Sequence, residues 1–132
     1  IMSIVFQQNI NKLKKSVQQT ESFTICKKDT VTCQVLDILW SYGFILGYKN
    51  LKQKNLSQNK LQIFLKFWGS KSILHNLKLI SKPQKRVFIR WQHLIRVYSR
   101  HELLILSTTR GVLSHHDCIK LGLGGEVLCV IA

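Results

Sequence analysis

A chain of 132 residues, 45% of them apolar, is long enough for one ordinary domain or two small ones and can bury a real core. Twenty Lys and Arg against six Asp and Glu leave a formal net charge of +14, which implies a polyanionic partner, nucleic acid first and an anionic membrane surface second. No apolar run nears the ~20 residues of a bilayer span and no secretory leader with a small-residue cleavage site is visible, so no span is expected, and of the two anionic partners nucleic acid, not membrane, is the expectation.

Helical spacing of Val5, Ile10, Leu13 and Val17 predicts a first helix over residues 3–18, with Lys14 and Lys15 near its C-terminus, where cations are favoured. Alternation predicts a short strand over Phe23–Cys26. Asp29 is a fitting N-cap for a second helix with Val31, Val35, Leu39 and Tyr42 on one face, and Gly43 ends it. Next come a strand from Phe44 to Tyr48, a Lys- and Asn-rich hairpin loop from Lys49 to Lys60, and a returning strand with Leu61, Ile63, Leu65 and Phe67 on one face. The first half therefore reads α-β-α-β-β. Gly69 and Ser70 mark the expected junction between an N-terminal α+β domain (1–69) and a β-rich C-terminal domain (70–132).

In the second half, strands are expected over Ile73–Ile80 and Arg86–Trp91, separated by Ser81-Lys82-Pro83-Gln84 with the only Pro of the chain. A helical turn over Gln92–Tyr98 and a strand over Glu102–Thr108 follow; the strand is apolar on both faces and so central. One short helix is opened by a Ser114-x-x-Asp117 capping box and closed by Gly122, and the last strand covers Glu126–Ile131. The fold class is α+β.

None of Cys26, Cys33, Cys118 and Cys129 forms a CxxC pair, so buried thiols are expected rather than zinc ligands, and disulfides are not needed. His115, His116, Asp117 and Cys118 are crowded, but neighbours on a helix point about 100° apart and cannot converge on one ion. Ser107, His115 and Asp117 are the residue types of a hydrolytic triad, yet nothing like a nucleophile elbow surrounds the serine. No catalytic residue, metal, cofactor or small-molecule substrate is expected. Trp40, Trp68, Trp91 and Phe88 are stacking candidates for RNA, but packing is the preferred reading for most, with Trp68 and Trp91 holding the halves together.

Two turns, Ser107-Thr108-Thr109-Arg110-Gly111 and Gly122-Leu123-Gly124-Gly125-Glu126, each flank an apolar strand. Hydroxyls on a rigid sheet edge suit A-form RNA, whose shallow minor groove displays 2′-hydroxyls, and Arg110 can fork onto a phosphate. The run from Glu102 to Leu113, the closing Gly122 to Ala132, the Ser81-Lys82-Pro83-Gln84 turn and the helix end Leu39 to Ile45 together resemble the small-subunit ribosomal protein S8 (uS8) family. Order and spacing agree over nearly the whole chain.

The resemblance implies a non-catalytic protein of the small ribosomal subunit that binds the central domain of small-subunit rRNA, supports its folding and assembly, and meets neighbouring small-subunit proteins. It implies RNA contact at Ser107, Thr108, Thr109, Arg110, Gly111, Gly124, Gly125 and Glu126, and also at Lys14, Lys15, Lys28, Ser81, Lys82, Pro83 and Arg86. A similar helix in a messenger is a second target that the resemblance suggests. The glycine pair permits close backbone approach and unusual φ angles. Glu126 is repelled by phosphate; it can accept from a base amino group or a 2′-hydroxyl, or orient the Ser107 loop, and the orienting role is the favoured expectation.

This chain also departs from the family pattern. Lys14-Lys15 replaces Arg-Asn, which loosens forked phosphate contact. Gln84 replaces the Gly after Pro83, so that turn should not need a positive φ. The Lys, Ile and Leu bias resembles an AT-rich organellar gene, which points to the mitochondrion before plastid or bacterium, and the first helix reads as part of the fold rather than a transit peptide.

Overall fold

The computed structural model describes residues 4–51, 59–97 and 103–131. The chain divides into two compact units, one of them Ile4–His75 and the other running from Asn76 onward.

In the first unit, α1 (Ile4–Gln18) turns Phe6, Ile10, Leu13 and Val17 inward, an alternating three- and four-residue spacing that keeps them on one stripe. Phe6 takes the core position expected for Val5, which is half-buried. Asn9 lies buried in the same stripe. Its Nδ2 donates to the Lys27 carbonyl (2.9 Å) and to Thr32 Oγ1 (3.0 Å), so a polar group in the core is satisfied and ties α1 to the next two elements.

Those elements are β1 (Phe23–Lys27) and α2 (Thr30–Ser41). Asp29 caps α2 as expected, its Oδ2 accepting from the Thr32 N–H (3.4 Å) and hydroxyl (3.3 Å). Gly43 leaves the helix in the left-handed region, at φ +78°. The buried face is Thr32, Val35, Leu36 and Leu39, with Val31 half-buried beside it; Tyr42 falls past the last turn and is exposed.

β2 (Ile45–Leu51) and β3 (Lys60–Leu65) complete an antiparallel sheet in the order β1-β3-β2. Central β3 alternates, burying Leu61, Ile63 and Leu65. Lys49–Leu51 and Lys60, expected in a loop, instead lengthen the two strands; residues 52–58 of that loop lie outside the described residues. Phe67 is not on β3. It belongs to a two-residue hairpin of β4 (Phe67–Trp68) and β5 (Lys71–Ser72), turned by Gly69 at φ +64°. Trp68 is 75% exposed on that hairpin, because so short a strand pair cannot enclose an indole.

The strand expected over Ile73–Ile80 begins as a 3₁₀ turn (Ile73–Asn76), and only β6 (Leu77–Leu79) is extended. Likewise β7 is just Phe88–Ile89, because Trp91 already opens α3 (Trp91–Val97). Then come β8 (Leu103–Thr108), β9 (Gly111–Ser114), α4 (His115–Leu121) and β10 (Gly125–Ile131). Four residues are too few to show a period, and β9 had no signal of its own.

The second unit's antiparallel sheet runs β6-β10-β8-β9, with β7 also on β10. β8 is interior, as its apolar faces require, and Leu103–Leu106 are buried. Leu94 of α3 and Cys118 of α4 pack with Leu104, Leu106, Val127 and Val130 of the sheet. Ser114 caps α4 by accepting the Asp117 N–H (3.4 Å), and Gly122 ends it at φ +66°. His115 is buried and its Nδ1 accepts the Leu104 N–H (3.0 Å), so this imidazole braces β8. Burial pushes the thiols of Cys26 and Cys118 up to about 11 and that of Cys129 to about 12, which keeps them protonated and inert at neutral pH.

Candidate nucleic-acid interface

The β8–β9 turn and the start of β10 meet at one edge of the second unit's sheet. Ser107 stands opposite Glu126 on one side and Val112 on the other, and Thr108 stands opposite Gly111. The Thr108 hydroxyl donates to the Gly111 carbonyl (2.9 Å) and accepts the Arg110 N–H (3.2 Å). With Gly111 at φ +100°, this closes a tight turn on which Thr109 and Arg110 are exposed. Thr108 thus shapes the loop through its hydroxyl, while Thr109 and Arg110 offer their side chains to solvent.

Gly124 and Gly125 are needed for closeness rather than for backbone freedom, since neither has a φ in the left-handed region. A Cβ on Gly124 would lie 2.6 Å from the Ile89 carbonyl oxygen, and one on Gly125 would overlap the carbonyl oxygen of Ser107. The expectation of unusual φ angles is corrected: the pair lets β7, β10 and β8 close on one another.

Glu126 sits where they close, paired with Ser107 of β8 and Phe88 of β7. It is 4% exposed, and its Oε1 is buried with no hydrogen-bond partner among the described residues. Such an oxygen costs about 1–3 kcal/mol of folding stability. Glu126 helps to line a cleft of about 320 Å³ together with Arg86, Phe88, Ser107, Thr109 and the glycine pair. A neighbouring cleft of about 480 Å³ shares Phe88, Gly124 and Gly125 and adds Arg90, Trp91 and Gln92. Phe88 is 69% exposed and serves as a wall of both; on a strand, Ile89 faces the core and Phe88 must then face out. That alternation leaves Phe88 among the stacking candidates, outside the packing reading preferred for most of the four aromatics.

Ser81 was expected to touch RNA. It is fully buried, its hydroxyl donating to the Val127 carbonyl (2.5 Å) and accepting the Val87 N–H (3.1 Å). Ser81 therefore pins the segment bearing Arg86 and Phe88 to β10 and has no surface to offer a ligand. The adjoining turn is closed by reciprocal backbone bonds between Lys82 and Lys85 (2.9 and 3.0 Å) and exposes Lys82 and Pro83; Gln84 has no positive φ.

The first unit carries its own basic cleft, of about 360 Å³, with Lys12, Lys15, Gln19 and Phe23 on its walls. Lys14 is half-buried and not among them, and Lys28 is exposed beside the Asp29 cap. Lys12 had no motif to mark it; only its spacing of three residues from Lys15 on α1 could have.

His115 and Asp117 are held by Leu104 and Ser114, so they do not converge with Ser107 on a nucleophilic centre. Two α+β units with hydroxyls, glycines and arginines gathered at a sheet edge define a basic binding protein. The family profile described as Ribosomal protein S8 matches residues 6–132, and the chain belongs to that family. It is similar to the small ribosomal subunit protein uS8 of Bartonella bacilliformis, 28% identical over 120 residues that cover 91% of this chain and 90% of the relative. The uS8 proteins of Dichelobacter nodosus (28%, covering 93% of each chain) and Rhizobium etli (29%, covering 92% of each) are similar to it in the same way. These relatives are bacterial, which makes the chain bacterial in type and lends nothing to the expected mitochondrial origin. As a member of the family it is a structural protein of the ribosome and not an enzyme.

Proposed function

We propose that the chain binds the central domain of small-subunit rRNA and supports its folding and assembly, with the cleft at Glu126 as the specific contact. The observation that carries this reading is the buried, unpartnered Oε1 beside Ser107. A phosphate is repelled there, whereas a 2′-hydroxyl or a base amino group entering the cleft donates the missing hydrogen bond once the Glu126 side chain turns out into the cleft that it lines. This favours acceptance of an RNA donor over the orienting role expected for Glu126. Arg86 and Arg110 neutralise neighbouring phosphates, and exposed Phe88 offers a face for stacking. The Lys12 and Lys15 cleft adds charge without sequence preference. Adjacent small-subunit proteins complete the set of partners.

The test is binding of the full chain to a central-domain rRNA fragment at physiological salt. Ser107→Ala and Arg110→Ala each weaken it by about 5- to 100-fold, the span of one lost polar contact. Unchanged binding by Ser107→Ala sinks the reading. The compartment we infer is the mitochondrion, supported by the Lys-, Ile- and Leu-rich composition with only six acidic residues. Location of the reading frame in a bacterial chromosome overturns that inference.

A further inference from the structure

A different surface lies on the first unit. From Asp29 to Tyr48 the chain runs without Lys, Arg or His and carries two carboxylates, although the whole has a net charge of +14. α2 bears no cation, unlike the other helices among the described residues.

Three side chains interlock on this stretch. Asp37 and Trp40 are three apart on α2 and share a face. Tyr48 of β2 donates its hydroxyl to Asp37 Oδ1 (2.5 Å) and meets the Trp40 ring edge-on, with centroids 5.9 Å apart and planes at 69°. The indole rests over Gly47, where a Cβ would come within 3.2 Å of the ring, so glycine provides its seat. Half of Trp40 nonetheless remains exposed, and so does Asp37. No described cation pairs with that carboxylate. Lys49, next in the chain, stands over the Phe64 ring at 5.8 Å, on the sheet face opposite Tyr48.

An indole held in place yet open, beside a carboxylate on a helix that bears no cation to neutralise phosphate, is unsuited to RNA. It matches a guanidinium, which stacks on an aromatic face and forks onto a carboxylate in one pose. We propose that Trp40, Asp37 and Tyr48 form a docking site for an arginine-bearing segment of another protein, drawn there by the longest cation-free stretch of a basic chain. The site is independent of the RNA contacts in the second unit.

The test is NMR of the full chain, following the indole N–H signals of its three tryptophans, with that of Trp40 assigned by its loss in Trp40→Phe. The probe is the peptide acetyl-Gly-Arg-Leu-Arg-Gly-amide, which its own charge keeps off the basic remainder. It is expected to shift the Trp40 signal saturably and to leave those of Trp68 and Trp91 in place. Its lysine counterpart should bind about fivefold more weakly, because ammonium neither stacks nor forks. Asp37→Asn keeps an acceptor for the Tyr48 hydroxyl and the shape of the site, and should weaken the arginine peptide by about fivefold. An oligouridine RNA should leave Trp40 untouched. The proposal is overturned if RNA moves the Trp40 signal, if the two peptides bind alike, or if Asp37→Asn changes nothing.

Discussion

Replacing Glu126 with Met should make the protein more stable and a poorer RNA binder at once. In the free chain Oε1 is desolvated and lacks a donor among the described residues, a penalty of about 1–3 kcal/mol. Met has an unbranched stem of similar length and no group that needs a partner, so it fills the same space without that penalty. Glu126→Met is therefore expected to raise the unfolding free energy by about 1–2 kcal/mol and the melting midpoint by roughly 3–8 °C. Affinity for the central-domain fragment should fall by about 10- to 100-fold, because the RNA donor is then buried against a thioether. Glu126→Gln, which keeps an acceptor oxygen, should fall between. Urea denaturation followed by circular dichroism and filter binding on the same preparations give both quantities. A Glu126→Met protein that is less stable than the parent shows that the carboxylate braces the fold, and the orienting role then stands. Unchanged RNA affinity removes the cleft from the interface.

Gly125→Ala forces a Cβ into the Ser107 carbonyl and should cost about 2–4 kcal/mol, read from its urea midpoint; a cost below 1 kcal/mol contradicts the close approach. Lys15→Ala should reduce the slope of log affinity against log salt by about 1 without changing which RNA is preferred, as filter binding across a salt series will report. The thiols of Cys26, Cys118 and Cys129 are raised in the folded state from an ordinary value of 9.0 to about 11, 11 and 12. A raised folded pKa gives stability that is present below pH 9 and lost as pH climbs through the folded values. Unfolding free energy should thus decline from pH 9 upward, and more gently in Cys129→Ala.

Elements with a long period or a distinct cap were legible. α1 had four well-spaced apolar residues, Asp29 and Ser114 each had a cap's chemistry, and β8 was apolar on both faces, as a strand buried on both faces must be. Short elements were not. β7 and β9 exist through pairing with distant partners, and a span of two or four residues holds no period to read. The candidate site was legible as a set of residue types but not as a division of labour. Ser81 and Thr108 were read as hydroxyls for RNA, and only their neighbours turn those hydroxyls inward, onto Val127 and Gly111.

By itself the sequence determined the partner class, the helix caps, the interior place of β8 and the family, because net charge, capping chemistry and alternation are local or additive properties. Only the tertiary structure decided that Gly124 and Gly125 serve close packing, that Phe88 forms the wall of two clefts, and that Glu126 holds a buried oxygen without a donor among the described residues. Each depends on strands that meet across dozens of residues of chain, and a carboxylate's need for a partner exists only once folding has taken water away from it.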